Sequence, residues 1–320
     1  MSEFVPNRRR WAFPVAIAAL LALVPIGYYG FLHEPPASPA FGPDARQDWV
    51  EPPPGQDAAV AGDEVRVAEL AGTVEIRRGR GSFAPAILGA VLQADDALRT
   101  LDGRARLVAH DSYDVQVEPG TELEIRELTQ RLSRFELGLG MLVARVGESG
   151  GRRLEIAARG SDAVASSQLG TFAVSNNGTG TVAVGARSGE VELHAAGKAV
   201  ILRAGQQSIM MPGGPPSEPA AFPSSLLLKI DWPSNKEINR RQLTVSGRSA
   251  SGAVLMVSGR PVKVEKDGRF SEALQLKEGR NSLVVEGGDV AGNRVQARRE
   301  LTVDTTAPDT DISTQKLWNP

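Results

Sequence analysis

From residue 63 to residue 210 the hydrophobic positions recur every second residue. VRVAEL, TVEIRR, RARLVAH, YDVQVE, ELEIREL, MLVARV, RLEIAA, TFAVS, TVAVG, EVELH and AVILR each alternate briefly. Gly, Asn-Gly, Ser-Gly or Pro-Gly turns separate most of them. Period two gives every strand one apolar and one polar face, so the segment predicts an all-β domain. Such strands must close on another sheet or coil on themselves. Periodicity leaves both a sandwich and a solenoid-like coil open. Helical spacing is nearly absent, with room for a turn or two over Ala84–Leu92. The clearest stretch is QLGTFAVSNNGTGTVAVGARSGEVEL at 168–193, where Phe172, Val174, Val182, Val184, Val191 and Leu193 form the expected core set. Exposed edges of this domain could accept a partner strand.

Residues 226–305 carry a second series: LLLKIDWP, QLTVSGR, AVLMVSG, PVKVEKDGRF, EALQLKEG, NSLVVEGGD and NRVQARRELTV. These give about seven strands in about eighty residues, the pattern of an immunoglobulin-like β-sandwich without the cysteine pair of antibody domains. Asp267-Gly268 is a strong hairpin signal, and Gly259 and Gly292 mark further turns. Residues 306–320 read as a polar, turn-rich, flexible tail.

Proline separates these units. Residues 33–62 hold seven prolines and predict a semi-stiff linker; residues 211–225 hold five more and predict a second one. Ahead of them, Trp11 to Leu32 contains no charged residue. As a helix this run is about 33 Å long, enough for a hydrocarbon core of about 30 Å. Arg8, Arg9 and Arg10 precede it, and Trp11, Tyr28 and Tyr29 stand where interfacial aromatics belong. The expectation is a single transmembrane helix at 11–32 in the inner membrane, with residues 1–10 cytoplasmic and the bulk of the chain periplasmic. The competing reading is a cleaved signal peptide with Ala12–Val24 as its apolar core. No convincing cleavage site follows, and either reading exports the rest of the chain.

Composition changes this picture little. The 320 residues carry a net charge of -2, three histidines and no cysteine. Disulfides, thiolate catalysis and cysteine metal sites are excluded, and the totals give no reason to expect nucleic acid as a partner. Candidate chemistry is sparse. Gly147-Glu148-Ser149-Gly150-Gly151 resembles the surroundings of the nucleophile in chymotrypsin-like proteases, and His110-Asp111 lies upstream. Those enzymes use two barrels with histidine and serine far apart in sequence, so a glycine turn is the expected reading. His110 and His194 lack neighbouring ligands at metal spacing. Asp304, Asp309 and Asp311 lack a calcium-loop pattern. Asp95-Asp96 are adjacent, so on a strand they would face opposite ways. No cofactor, metal or catalytic residue is expected, and the chain reads as a non-enzyme.

Several elements, in order, resemble the FecR family of exported domains. Gly72-Thr73-Val74 is similar to its opening Gly-x-Val. Asp95-Asp96-Ala97-Leu98-Arg99-Thr100 is similar to its Gly-Asp-x-Ile/Leu-x-Thr step, with Asp95 in place of glycine. Leu137 to Val143 resembles its Leu-x-x-Gly-x-Val element, one residue longer. Leu169-Gly170-Thr171-Phe172-Ala173-Val174 resembles its Arg-Gly-Thr-x-Phe-x-Val signature, one residue tighter, with Leu169 in place of arginine. Ser188-Gly189-Glu190-Val191 and Ala204-Gly205-Gln206 resemble its closing elements. The signature positions are therefore Gly170, Thr171, Phe172, Val174, Gly189 and Gly205. The resemblance implies an envelope-side sensing or docking module. The family's namesake regulators carry a folded cytoplasmic segment, and Met1–Arg10 is too short to fold alone, so a conventional anti-sigma factor is not expected. The second unit, through DGRF, EGRNSLVVE, DVAGN and VDTTAP, resembles immunoglobulin-like units of bacterial surface proteins, which implies spacing or adhesion.

The leading expectation is a membrane-anchored, non-enzymatic envelope protein that senses, docks or scaffolds another envelope protein. The alternatives are a signalling component that relays envelope state to a separate regulator, and a peptidoglycan or polysaccharide binder, although aromatics make up only 5% of the chain.

Overall fold

The computed structural model describes residues 64–109, 112–148 and 151–306, which belong to one compact unit spanning Ala58–Pro320. The expected helix at 11–32 with Arg8, Arg9, Arg10, Trp11, Tyr28 and Tyr29, the linker 33–62, and the tail beyond Thr306 lie outside the described residues. Every regular element among the described residues is a strand.

The first body opens with β1 (Val65–Ala71), β2 (Val74–Arg77), β3 (Phe83–Pro85), β4 (Val91–Leu92), β5 (Ala97–Thr100) and β6 (Arg104–Ala109). Then come β7 (Tyr113–Val117), β8 (Glu122–Leu128), β9 (Leu132–Leu137), β10 (Gly140–Val146), β11 (Arg153–Ala158) and β12 (Val164–Ser167). It closes with β13 (Gly170–Asn176), β14 (Val182–Ala195), β15 (Lys198–Arg203), β16 (Gln206–Met210) and β17 (Ala220–Ala221). Pairing sorts these into two layers. The front layer runs β4-β1-β6-β7-β10-β13-β14-β16-β17. The back layer runs β3-β2-β5-β8-β9-β11-β12-β14-β15, with β9–β11 its parallel pair.

Strand order nearly follows chain order in both layers, so the chain weaves from front to back while advancing along one axis. The body is thus a two-layer sandwich that grows like a coil, combining the two architectures left open by periodicity. β14 belongs to both layers: its first half pairs with β13 and β16, and its last residues pair with β12 and β15. The alternation dictates the core. β6, β9 and β11 bury every second residue, and Phe172, Val174, Val182, Val184, Val191 and Leu193 are all at most 1% exposed. Each such side chain contributes about 1.5–3 kcal/mol by leaving water. Ala84–Leu92 departs from the expected helical turn: β3 and β4 flank a turn, because β3 pairs with β2 and β4 with β1.

Residues 211–225 are held to the first body more closely than a free linker. The Ser217 hydroxyl accepts from the Ile209 amide at 3.1 Å, and the Phe222 amide donates to the Gly205 carbonyl at 2.9 Å. β17 pairs with β16 within this stretch. Proline stiffens the segment, while Ser208 and Ser217 fasten it.

The second body comprises β18 (Leu228–Asp231), β19 (Glu237–Ile238), β20 (Gln242–Ser249) and β21 (Val254–Val257). β22 (Arg260–Val262), β23 (Arg269–Gln275), β24 (Gly279–Gly288) and β25 (Arg294–Val303) complete it. A three-stranded sheet, β18-β20-β23, faces a five-stranded sheet, β19-β25-β24-β21-β22. Val245, Val257, Val264, Phe270, Val285 and Leu301 meet in its core. The Asp267-Gly268 turn lies where the sequence puts it, with Gly268 at φ 81°.

Candidate functional site

The signature residues are structural. Gly170 and Gly189 are directly opposed on β13 and β14, with φ of 115° and 70°. A Cβ on Gly170 would lie 2.3 Å from the Ser188 carbonyl oxygen, and one on Gly189 would lie 2.4 Å from that of Leu169. Only glycine permits this approach at the point where β14 leaves one layer for the other. The Thr171 amide donates to the Ser188 hydroxyl at 2.9 Å. Phe172 and Val174 are core, and Gly205 turns the chain from β15 into β16. Leu169, where the family has arginine, is half exposed. Asp95, where the family has glycine, adopts φ 70°, the left-handed region that glycine enters freely.

Over β10, β13, β14 and β16 the outer face of the front layer is covered by the second body. On β13 and β14 the residues that alternate with the core are small: Ala173, Ser175, Ala183 and Gly185. Val290 packs against Ala173 and Ala183, joined by Val143 and Ile209. A Cβ on Gly185 would come within 2.8 Å of the Phe222 ring and 3.0 Å of Val290, so the face is flat by necessity. The Ser175 hydroxyl donates to the Gly252 carbonyl at 2.6 Å. The Asn177 side-chain amide donates to the Val264 carbonyl, which also accepts from the Thr179 hydroxyl at 3.1 Å. Asn177 also accepts from the Thr179 and Thr181 amides, so one side chain both shapes its turn and joins the bodies. At the rim, Arg294 reaches the buried Glu118 at 2.8 Å. Arg187 donates to the Val290 carbonyl at 3.3 Å, and burial pushes its pKa down against the pull of Glu118.

The outer face of the back layer is tiled with paired charges. Arg159 bridges Glu136, Glu122 and Glu124 at 2.6, 2.7 and 3.1 Å. Arg126 holds Glu124 and Glu136 at 2.6 and 2.8 Å. The lattice continues through Arg134–Glu155 at 2.8 Å and Arg153–Glu192 at 3.0 Å to His194, whose Nε2 lies 2.7 Å from Glu192. Toward the other end, the Arg77 and Arg99 guanidiniums lie 5.4 and 4.2 Å from the centre of the Phe83 ring. Burial raises the Glu136 pKa, but hydrogen bonds from Arg159 and Arg126 outweigh it and hold the carboxyl below its ordinary range. Hydrogen bonds from His194 and Arg153 do the same for Glu192. Burial opposes the Arg159 charge, yet Glu122 and Glu136 raise its pKa.

The lattice ends at β15, whose strand partner among the described residues is β14. Its outward Ile201 is 55% exposed, between the ion pairs Lys198–Glu218 and Arg203–Glu190 at 3.2 and 3.3 Å. An apolar spot inside a charged rim on a free strand edge is a docking geometry.

The chemical candidates fall into place separately. His110, Asp111, Ser149, Gly150, Asp309 and Asp311 lie outside the described residues. Near Gly147, a depression of about 190 Å³ holds Tyr113 and Asp114, whose carboxyl burial pushes up against the pull of Arg106 and Arg145. Asp95 points outward, whereas Asp96 is buried and accepts from the Gln93 and Gly79 amides, each at 3.0 Å. The Asp304 carboxyl is held low by the Thr306 hydroxyl and amide. Among the described residues no group of three or more His, Asp or Glu side chains is arranged to hold a metal ion.

The model of the family "glucodextranase, domain B" matches residues 227–305, the second body. No curated protein matches the chain. Two crystal structures of a candidate anti-sigma factor from Parabacteroides distasonis ATCC 8503 align with 38% of this chain. Their identities are 18% and 19%, each with a TM-score of 0.34, and the chain spans 57% of their length. Fibronectin(III)-like modules of Clostridium thermocellum CbhA align with 57% of this chain and 94% of their own, at 12% identity and TM-score 0.21. At such scores none of these overlaps carries an argument.

Proposed function

We propose that the chain is a non-enzymatic, membrane-anchored envelope protein whose FecR-like first body docks another envelope protein, with the immunoglobulin-like body fixed beside it. One observation supports this above the rest. Part of one outer face of the first body binds the second body, much of the other has its charges paired off, and the edge strand β15 presents the exposed Ile201 within a charged rim. The apolar run at 11–32 and the preceding arginines support the inner-membrane anchor and a periplasmic location.

The test is a photo-crosslinking residue at position 201 in the full-length protein in its own membrane, with another at exposed Arg131 as control. A discrete protein adduct at 201, absent at 131 and lost when Lys198 and Arg203 are reversed to glutamate, is the expected result. No adduct, or the same products from both positions, overturns the docking role. A signalling relay is the second reading. The 22 uncharged residues of 11–32 favour it if they also pair with a partner helix, so crosslinks formed within that segment would separate it from a passive scaffold.

A further inference from the structure

The outward face of the β18-β20-β23 sheet carries an arrangement that folding alone does not reward. Lys229 is directly opposite Arg248, and Arg248 directly opposite Arg269, so three cations share one row across three strands. Like charges directly opposite one another destabilise a sheet. All three are exposed, and among the described residues neither Lys229 nor Arg248 has an ion-pair partner, while Arg269 reaches Asp267 at 2.9 Å. The chain after β22 extends the sheet, through a bridge between Val264 and Phe270 and a hydrogen bond from the Glu265 amide to the Arg269 carbonyl. That brings Lys263 and Glu265 to the same trough, with Glu265 beside Arg269 in the row. The result is a groove of about 880 Å³ lined by Asp231, Ser246, Arg248, Lys263, Arg269 and Ser271.

The chemistry narrows the ligand. Lys229 and Arg248, the cations of the row without an ion-pair partner among the described residues, call for an anion, and arginine's planar fork suits a carboxylate. Beside that row, Ser246 is paired with Ser271, followed by Thr244 opposite Ala273 and Gln242 opposite Gln275. Hydroxyl and amide side chains thus continue for six residues from Arg248 to Gln242, about 20 Å of strand. A peptide would need a large apolar or aromatic anchor point; the groove offers the exposed Pro261 ring and the edge of a buried Phe270, and along the strip the Ala273 methyl. A densely phosphorylated polymer would meet Asp231, Glu265 and Glu272 in the same groove. We infer that this trough binds an acidic polysaccharide of low charge density, with a sugar carboxylate on the Arg248–Arg269 row and neutral sugar hydroxyls along the Ser, Thr and Gln strip.

This inference is independent of the docking role given to the first body. It is tested with the full-length protein in detergent and hyaluronate oligosaccharides, which carry one carboxylate on every second sugar. Neutral dextran and polyphosphate serve as comparators. Hyaluronate should bind, and its affinity should fall as salt screens the pair. The double variant Arg248→Gln/Arg269→Gln should weaken it by about tenfold or more, Arg248→Lys should weaken it less because the charge stays while the fork is lost, and Arg126→Gln on the back layer changes nothing. Matching circular dichroism across the variants checks that they fold. No binding of hyaluronate, equal binding of dextran, tighter binding of polyphosphate, or an undiminished affinity in the double variant each overturns the assignment.

Discussion

The two outer faces of the first body obey the same period and serve opposite purposes. On the back layer the residues between core positions are arginine and glutamate, and their side chains interlock above the sheet. On the front layer, at β13 and β14, they are alanine, serine and glycine, and a second body lies on them. A face meant for water needs charge or long polar side chains, whereas a face meant for another sheet needs flatness and a few directed hydrogen bonds. The identity of the alternate residues, more than the alternation, states what covers a sheet.

The largest expected break in that contrast is Ala183→Glu. It puts a carboxylate where Gly252 and Val290 lie, and an unpaired buried charge costs about 3–5 kcal/mol. Urea denaturation should show that loss, whereas Thr244→Glu, on an exposed strand face, should cost little. Asn177→Ala comes next. It strips the Val264 carbonyl of one donor and the turn of its acceptor, a loss of about 1–3 kcal/mol readable by calorimetry.

Acid should act on the back layer. Glu136 and Glu192 titrate below the ordinary range in the folded chain. Their stabilisation is therefore fully present above the unfolded pKa of about 4.3 and is lost as pH falls through the lower folded values. The urea midpoint should drop over that acid window, and Arg159→Gln should flatten the drop. The smallest effect belongs to Arg126→Gln: on a solvated lattice with other guanidiniums at hand, it should cost less than about 1 kcal/mol.

Much of the molecule was legible in the sequence. Phe172, Val174, Val182 and Val184 announced a core because apolar residues at period two have one place to go. The Asp267-Gly268 hairpin announced itself through its turn chemistry. The contact face was not read. Ala173, Ser175 and Ala183 are neither clearly apolar nor charged, so alternation alone does not say what covers them. The lack of any Lys, Arg or Glu in TFAVSNN and TVAVGA was the available signal. Layer assignment was also out of reach, since the parallel pairing of Arg153 with Leu132 leaves no trace in local pattern. For the same reason the charges of ELEIREL and RLEIAA were readable as a polar face, but the partners in their lattice depend on register.

Because the chain has no cysteine, a single one introduced at Ala183 is a clean reporter of whether the small-residue face is covered. The measurement is its alkylation rate under native conditions against a cysteine at Arg126. A thiol at 183 should react far more slowly than one at 126 and catch up only on unfolding. Equal native rates would mean that the face stands open and that the two bodies are not joined as described.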